Sequence, residues 1–421
     1  MKVIIILFHI YLQQREILIK KDIITTLNLS AVTFLVLLGL SVIAPILPDY
    51  AETFNVNYTL VGLVVAAFGI ARMFIDLPAG FLAQRYNKKN LMLVGLILVS
   101  SSSIMAGLAQ NYWILLLARI IEGFGSAIYV TTATIFIALV ASPERRGFLM
   151  SIYSGFLLLG AIFGPSFGGF IASNYGITAP FFAYAIISAI WVIPTLILPH
   201  INNIDNEKHS KIQELYHQAW YSLKDSKFIP VLPSIFSLFF IRTGVRNTLV
   251  PLFSGNDLGL NQFDIGMLLT IAGIATAVTM VPIGLISDKI GRRTPLLLSL
   301  IISAPITIWI AFTANMIYIS FIMFIYGGII GLSGPIAAYI TDIAPKDKLE
   351  IYMGVYRTIG DIGFVCGPIL MGFIVDLTSI TTMRSGSLID LVGWPPFAVA
   401  ACIMLITGLI LLKAPNIKQQ K

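Results

Sequence analysis

"MSIYSGFLLLGAIFGPSFGGFI" (150–171) returns 203 residues later as "MGVYRTIGDIGFVCGPILMGFI" (353–374). Each stretch is apolar and long enough for the about 20 residues that a helix needs to cross a bilayer. Each carries an internal Gly-Pro, at Gly164–Pro165 and Gly367–Pro368. A second pair, "PAGFLAQRYNKKN" (78–90) and "PIGLISDKIGRRT" (282–294), repeats at an offset of 204. Two copies of one unit in parallel order are therefore expected. They are an N-terminal half over 27–199 and a C-terminal half over 228–413, joined by the polar connection 200–227.

The composition fits that reading throughout the chain. Hydrophobic residues make up 57% of the 421 residues and charged residues 11%, with a mean hydropathy of +0.90. A water-soluble domain has no such balance. Apolar runs predict twelve spans, at 29–49, 58–83, 90–109, 112–140, 147–173, 178–199, 228–254, 262–287, 293–313, 316–343, 350–378 and 390–413. The short alternating strands of a membrane barrel are not the pattern of these runs. The fold class is an all-α membrane protein, twelve transmembrane helices in two pseudo-symmetric six-helix bundles. Parallel halves with a binding site between them near the midplane are the architecture of alternating-access carriers.

Charge gives the orientation. Lys20, Lys21, Arg85, Lys88, Lys89, Arg145, Arg146, Lys208, Lys211, Lys289, Arg292, Arg293, Lys346, Lys348, Lys413 and Lys418 all lie in alternate connections or the termini, and the opposite connections offer Arg384. The positive-inside rule then predicts that both termini are cytoplasmic in a cell-membrane protein, with 1–26 an N-terminal interfacial segment and 414–421 a tail. The net charge of +7 is accounted for by orientation and anionic headgroups, so no nucleic-acid partner is implied. Cys366 and Cys402 fall inside spans 11 and 12, where buried, inert roles are expected.

Gly160, Gly164 and Gly168 lie four residues apart on one face of span 5, where missing side chains let another backbone approach. Pro165 removes a hydrogen bond and bends the helix, and Gly169 widens the small surface.

Ionisable residues inside spans are costly unless paired or facing a cavity. Arg72 with Asp76, Arg119 with Glu122, and Arg357 with Asp361 stand at i,i+4 or i,i+3 spacing, one helix face in each case. Arg242 and Arg246 in span 7 have no acid within a turn, which makes them candidates for an anionic ligand or for pairing between helices. Glu122 is the first candidate for proton coupling and Asp361 the second, with Arg119, Arg357, Asp76 and Arg72 as partners. The sequence holds no metal-ligand cluster, phosphate-cradling loop or nucleophile with a histidine partner, so neither an enzyme nor a cofactor or metal is expected.

Three motifs resemble the major facilitator superfamily across residues 27–413. "GLISDKIGRR" (284–293) is similar to its loop signature, with Gly284, Asp288, Lys289, Gly291, Arg292 and Arg293 at the signature positions. The first copy keeps Gly80, Arg85, Lys88 and Lys89 but has Gln84 and Asn87 where the acid and the glycine are expected. "LLARIIEGFGSA" (116–127) resembles the fourth-helix Arg motif of proton-coupled members, and "GAIFGPSFGG" (160–169) a signature of the drug:proton antiporters. The resemblance implies that the Gly face of span 5 meets the other half and shapes the direction of the cycle. It also implies that the loop charges gate the conformational change, through a network of Asp288 with Arg292 and Arg293. A latch weakened by Gln84 follows from the same comparison. The function expected is proton-coupled export of small lipophilic compounds, with the small molecule, protons and the bilayer as partners and a monomer as the working unit. Uptake or exchange of an organic anion is the second reading. A non-transporting membrane sensor is the third, although the 28-residue central loop and short termini leave no space for the added signalling domain it would need.

Overall fold

The computed structural model describes residues 27, 30–31, 33–34, 37–39, 41–140, 146–197, 222–345, 348–384 and 387–417. The 1–26 segment and residues 200–221 of the central connection lie outside the described set, as does the side chain of Gln84.

Ten helices among the described residues are long and apolar enough to cross a membrane, and they coincide with predicted spans 2 to 11. Spans 2 to 5 are Tyr58–Arg85, Lys88–Gly107, Tyr112–Val140 and Arg146–Tyr175. Span 6 runs Ala179–Ile190 and Val192–Ile197. Span 7 is Ile229–Asn256. Spans 8 and 9 are Gln262–Ile290 and Arg293–Ile310. Span 10 is broken at Leu332–Pro335 between Met316–Gly331 and Ile336–Ile343, and span 11 is Leu349–Thr378. Span 1 ends in the short helix Leu47–Glu52. The protein is a multi-pass membrane protein.

Span 12 differs from its expected extent. It starts at Pro395, not at 390, because Ile380–Arg384 and Ser387–Leu391 pair as an antiparallel hairpin with Ile380 opposite Leu391. Gly393 follows with φ of 65°, and two prolines at the first helical turn start the span where a missing N–H costs nothing. The Asp257 carboxylate anchors the crossing by accepting from the backbone of Val392 at 2.8 Å and Gly393 at 3.0 Å.

The repeat is visible in the caps. Asn57 accepts from the Leu60 amide at 3.0 Å to start span 2, and Asn261, 204 residues on, accepts from Asp264 at 2.9 Å to start span 8. Such caps satisfy amides that a helix start leaves unbonded. The halves then meet along two related seams, span 2 with span 11 and span 5 with span 8. Only a glycine fits at the tightest points. A Cβ on Gly62 would lie 2.1 Å from the Pro368 carbonyl oxygen, and one on Gly266 would lie 2.2 Å from that of Pro165.

The Gly face of span 5 packs differently from the expectation. Cβ atoms on Gly160, Gly164 and Gly168 would meet Phe34 O at 2.4 Å, Ser41 Cβ at 2.4 Å and Val42 O at 1.9 Å, all in span 1 of the same half. The motif reaches the other half through its later members instead, Pro165, Ser166 and Gly169. Helix geometry explains this, since positions four apart share one face and Pro165 and Gly169 form the adjoining one.

The proline of span 11 also frees a backbone group. The Phe364 carbonyl, which Pro368 cannot serve, accepts from Thr243 Oγ1 of span 7 at 2.9 Å. Beside Pro165, the Ser166 amide donates to Thr270 Oγ1 of span 8 at 3.1 Å.

Candidate functional site: a cavity between two seams

Span 7 leaves the α-helix over Ile241–Leu249, where it forms a π-helical segment. Gly244 of this segment lies backbone to backbone with Gly367 of span 11, a Cβ there meeting Gly367 at 2.8 Å. Thr248 Oγ1 donates across the wide turn to Thr243 O at 2.9 Å. The segment presents Arg242 and Arg246 to a cavity of about 360 Å³ between the halves, whose wall includes Ile162 of span 5, Phe239 of span 7, Thr276 of span 8, Tyr326 of span 10 and Tyr356 of span 11. Arg246 Nη2 donates to the Leu269 carbonyl at 2.9 Å, while its buried Nε has no hydrogen-bond partner. No carboxylate lines the cavity among the described residues. Among the described residues, therefore, neither of the two span 7 arginines takes the acid from another helix that the sequence left open.

The charged seam lies beside it. Asp76 Oδ2 of span 2 is 2.9 Å from Arg357 Nη2 of span 11 and 3.6 Å from Arg72 Nη2 of its own helix. Thr131 Oγ1 donates to the other Asp76 oxygen at 3.4 Å. The pairing expected between Arg357 and Asp361 is not the ion pair formed. Arg357 turns across the seam because span 2 brings Asp76 within reach, and Asp361 stands half-buried one turn away. The Arg72–Asp76 pair forms as its spacing predicts.

Arg119 and Glu122 also pair as expected, Arg119 Nη1 donating to Glu122 Oε2. They do so inside the N-terminal half and away from the cavity wall, at 4% and 0% exposure. The Arg119 guanidinium lies over the Phe68 ring at 5.2 Å, and Glu122 Oε1 is buried without a partner. The fourth-helix motif and the cavity are thus separate places in the fold.

At one end of the bundle the loop signature forms a network in the second half. Arg292 forms an ion pair with Asp288 at 2.6 Å and donates to Asp342 of span 10 at 3.0 Å and to Ser287 Oγ at 2.9 Å. Arg293 does not join it. That guanidinium donates to the carbonyls of Leu412 and Ala414, both at 2.8 Å, which ties the chain after span 12 to the loop. Gly291 sits at φ of 97°, a conformation that favours glycine. In the first copy Gln84 and Leu139 occupy the positions of Asp288 and Asp342, and open space lies beside Gly80 and Gly284. We call this the basic end.

The opposite, acidic end joins the halves through residues that sequence reasoning did not single out. Asp376 of span 11 accepts from the first amides of span 2, Tyr58 at 2.6 Å and Thr59 at 2.9 Å. A carboxylate at a helix N-terminus is favourably placed for its unbonded amides and its dipole. Gln262 Nε2 donates to Asp49 Oδ2 at 2.6 Å, and Asn256 Nδ2 reaches the Tyr58 hydroxyl at 3.2 Å and Glu52 Oε1 at 3.5 Å. The repeat held the signal, since Asp376 stands 203 residues after Ser173, and Ser173 Oγ accepts from the Phe263 amide at the start of span 8 at 2.9 Å.

The chain that folds into these two halves matches a known group of proteins in sequence. The Major Facilitator Superfamily model matches residues 29–261 and 231–421. The chain belongs to this superfamily. It is 27% identical over 360 residues to multidrug resistance protein 2 of Bacillus subtilis, covering 82% of this chain and 87% of that one. It is also 27% identical over 354 residues to the quinolone resistance protein NorA of Staphylococcus aureus, covering 82% and 88%. Among solved structures, the nucleoside transporter NupG superposes with a TM-score of 0.74 at 14% identity, over 92% of this chain and 98% of that one. A D-xylose-proton symporter superposes with a TM-score of 0.70 at 16% identity, over 93% and 98%. At such identities the structural likeness speaks for the fold. The cavity lies between the halves, walled by the C-terminal half and by Leu158, Ala161 and Ile162 of span 5.

Proposed function

We propose that the protein is a proton-driven secondary carrier that exports small lipophilic compounds by alternating access, in a cell membrane with both termini and the basic end cytoplasmic. The observation that carries the reading is the Asp76 carboxylate, shared between Arg72 of its own half and Arg357 of the other. Parting the halves at this depth removes one of its two cations, so the carboxylate has different charge partners in the two conformations. Coupling requires that difference. Glu122, with its cation on the same helix, changes its surroundings less, which moves the first assignment from span 4 to the seam and leaves Asp361 as the neighbouring carboxylate. Relatives named for multidrug and quinolone resistance support export, and the mostly apolar wall supports lipophilic cargo.

Reconstituted liposomes with imposed pH gradients test this. Gradient-driven accumulation is expected for the wild type, and Asp76→Asn should abolish it while downhill exchange continues. Accumulation that persists after the proton gradient is collapsed would sink the reading. The loop charges Arg85, Lys88, Lys89, Asp288 and Arg292 gate the basic end in the same scheme. Uptake or exchange of an anion draws on one observation, the two cavity arginines.

A further inference from the structure

We propose that the cavity recognises an organic anion, a carboxylate or comparable monoanion on an aromatic or apolar body, and that Arg242 and Arg246 are the residues that bind its charge. The proposal rests on reading this cavity as the substrate site of the carrier and names the class of compound it takes.

The charge balance inside the spans leads there. Arg119 is matched by Glu122. Arg72 and Arg357 share Asp76, and Asp361 lies in the field of the same two arginines. Three acids thus answer three arginines, and Arg242 and Arg246 remain. They stand 13 and 17 residues into a 28-residue span that starts at Ile229, the middle of the bilayer, where neither headgroup region is within easy reach of a side chain. Two like charges one turn apart repel each other and any organic cation, and both effects reverse when an anion enters.

The backbone supplies an independent observation. A π-helical segment is rare, is less favourable than the α-helix, and occurs mostly at functional sites. This one is held by three contacts already described, the Gly244–Gly367 approach, Thr243 to the freed Phe364 carbonyl and Thr248 to Thr243 O. Both arginines lie within it. The Leu269 carbonyl fixes the Arg246 guanidinium by one nitrogen and leaves Nε without a partner, so the fork is oriented before a ligand arrives. A planar guanidinium matches a carboxylate in two parallel hydrogen bonds. Around this pair the wall is aromatic and aliphatic, from Phe239, Tyr326, Tyr356 and Ile162. The volume lies within the roughly 300–1,000 Å³ usual for small-molecule pockets.

The test uses the full chain in phosphatidylcholine nanodiscs and three matched naphthalenes, 2-naphthoate, neutral 2-naphthamide and 2-naphthylmethylammonium, read by calorimetry. Naphthoate is expected to bind at least about tenfold tighter than the amide, the scale of one charge-assisted hydrogen-bonded pair, and the ammonium weakest. Arg242→Gln and Arg246→Gln should each remove that preference while amide binding persists, which shows that the cavity is intact, and Arg246→Lys should restore part of it. Equal affinity for amide and naphthoate, or a preference that both glutamine variants retain, overturns the proposal. Competitive weakening of naphthoate binding by added phosphatidylglycerol also overturns it, because the bound anion would then be a lipid headgroup. Transport of the same three compounds is measured separately. Failure of the carrier reading would show as naphthoate binding without movement, and failure of the anion site as movement without preference.

Discussion

The seam between spans 2 and 11 and the seam between spans 5 and 8 are copies of one geometry with different chemistry. Gly62 faces the Pro368 carbonyl as Gly266 faces that of Pro165, and Gly372 and Gly169 meet Tyr58 and Gln262 in the same relation. The side chains diverge. The 2–11 seam holds Asp76 and Arg357 in its depth and the Asp376 carboxylate at its acidic end, whereas the 5–8 seam is closed at that end by the Ser173 hydroxyl. Along the 5–8 seam, Thr270 accepts from the kinked backbone of span 5, at a position where the first copy has Ala66. Shape is thus conserved by the repeat while the ionisable groups are concentrated on one seam. On the proposed function, the charged seam carries the titratable contacts that change between states and the other seam serves as a neutral pivot.

The largest effect tests the shared geometry. Gly62→Val and Gly266→Val each place carbon inside the contact distance of a backbone carbonyl that cannot yield like a side-chain tip. Overpacking of this kind costs about 1–3 kcal/mol or more. Both variants are expected to lose most transport and to melt earlier than the wild type in detergent. Full activity in either one would mean that the seam opens more widely than this state shows. Gly164→Leu, which strikes span 1 inside the N-terminal half, should lower thermal stability as well, a packing defect and not a frozen cycle.

Next comes the charge difference between the seams. Arg357→Gln leaves Asp76 with Arg72 alone, and gradient-driven transport is expected to fall several-fold, the scale of an ion pair with one exposed partner at up to about 1 kcal/mol. In the 5–8 seam Thr270→Ala deletes one neutral hydrogen bond, worth about 0.5–1.5 kcal/mol, and coupling to the proton gradient should be unaltered. If Thr270→Ala uncouples transport and Arg357→Gln does not, the division of labour between the seams is wrong.

How much of this could be read in the sequence follows from the range of each interaction. Hydropathy and the two repeats carried the bundle, because span length and internal symmetry are local or periodic properties. Arg72–Asp76 and Arg119–Glu122 were legible for the same reason, partners on one helix. Arg357 was misread because i,i+4 spacing offered Asp361, and nothing in one sequence tells that span 2 brings Asp76 closer. The π-helical turn at Ile241–Leu249 has no signature in residue type. Its causes lie in span 11, where Gly367 admits Gly244 and Pro368 frees a carbonyl for Thr243. The hairpin before span 12 falls in the connection 379–389, whose mixed residues carry no clear strand pattern, and only its last two residues, Asp390 and Leu391, read as the start of the helix.

A third comparison concerns the two caps of the acidic end. Asp376→Asn removes a charge from two amide hydrogen bonds, and bonds to charged groups are worth about 1.5–3 kcal/mol against about 0.5–1.5 for neutral ones. Spin labels at Asn55→Cys and Ser379→Cys, in a background lacking the native cysteines, should then report a larger separated population than Ser173→Ala produces. Equal effects would make the two caps interchangeable.

The smallest effect is a pH dependence confined to that end. Glu52 closes the short helix after span 1, and burial raises its carboxyl from 4.5 to about 8, with the charges of Asp49 and Asp390 adding and the Asn256 amide opposing. Asp49 is on its own helix, Asn256 comes from span 7 and Asp390 from the hairpin, so three elements set its surroundings. When the halves part, Glu52 is solvated and its proton affinity falls back toward the ordinary value. The joined state therefore holds the extra proton, and its contribution to closure is full below about pH 4.5 and lost as pH rises through about 8. The separated fraction reported by the spin labels at 55 and 379 should rise between pH 5 and 8. Glu52→Gln keeps an amide donor and acceptor at the site but cannot ionise, so the rise should shrink to the part left by Asp49, whose carboxyl burial raises to about 6 against the Gln262 hydrogen bond. A wild-type profile that is flat, or one that survives unchanged in Glu52→Gln, would place the pH response elsewhere.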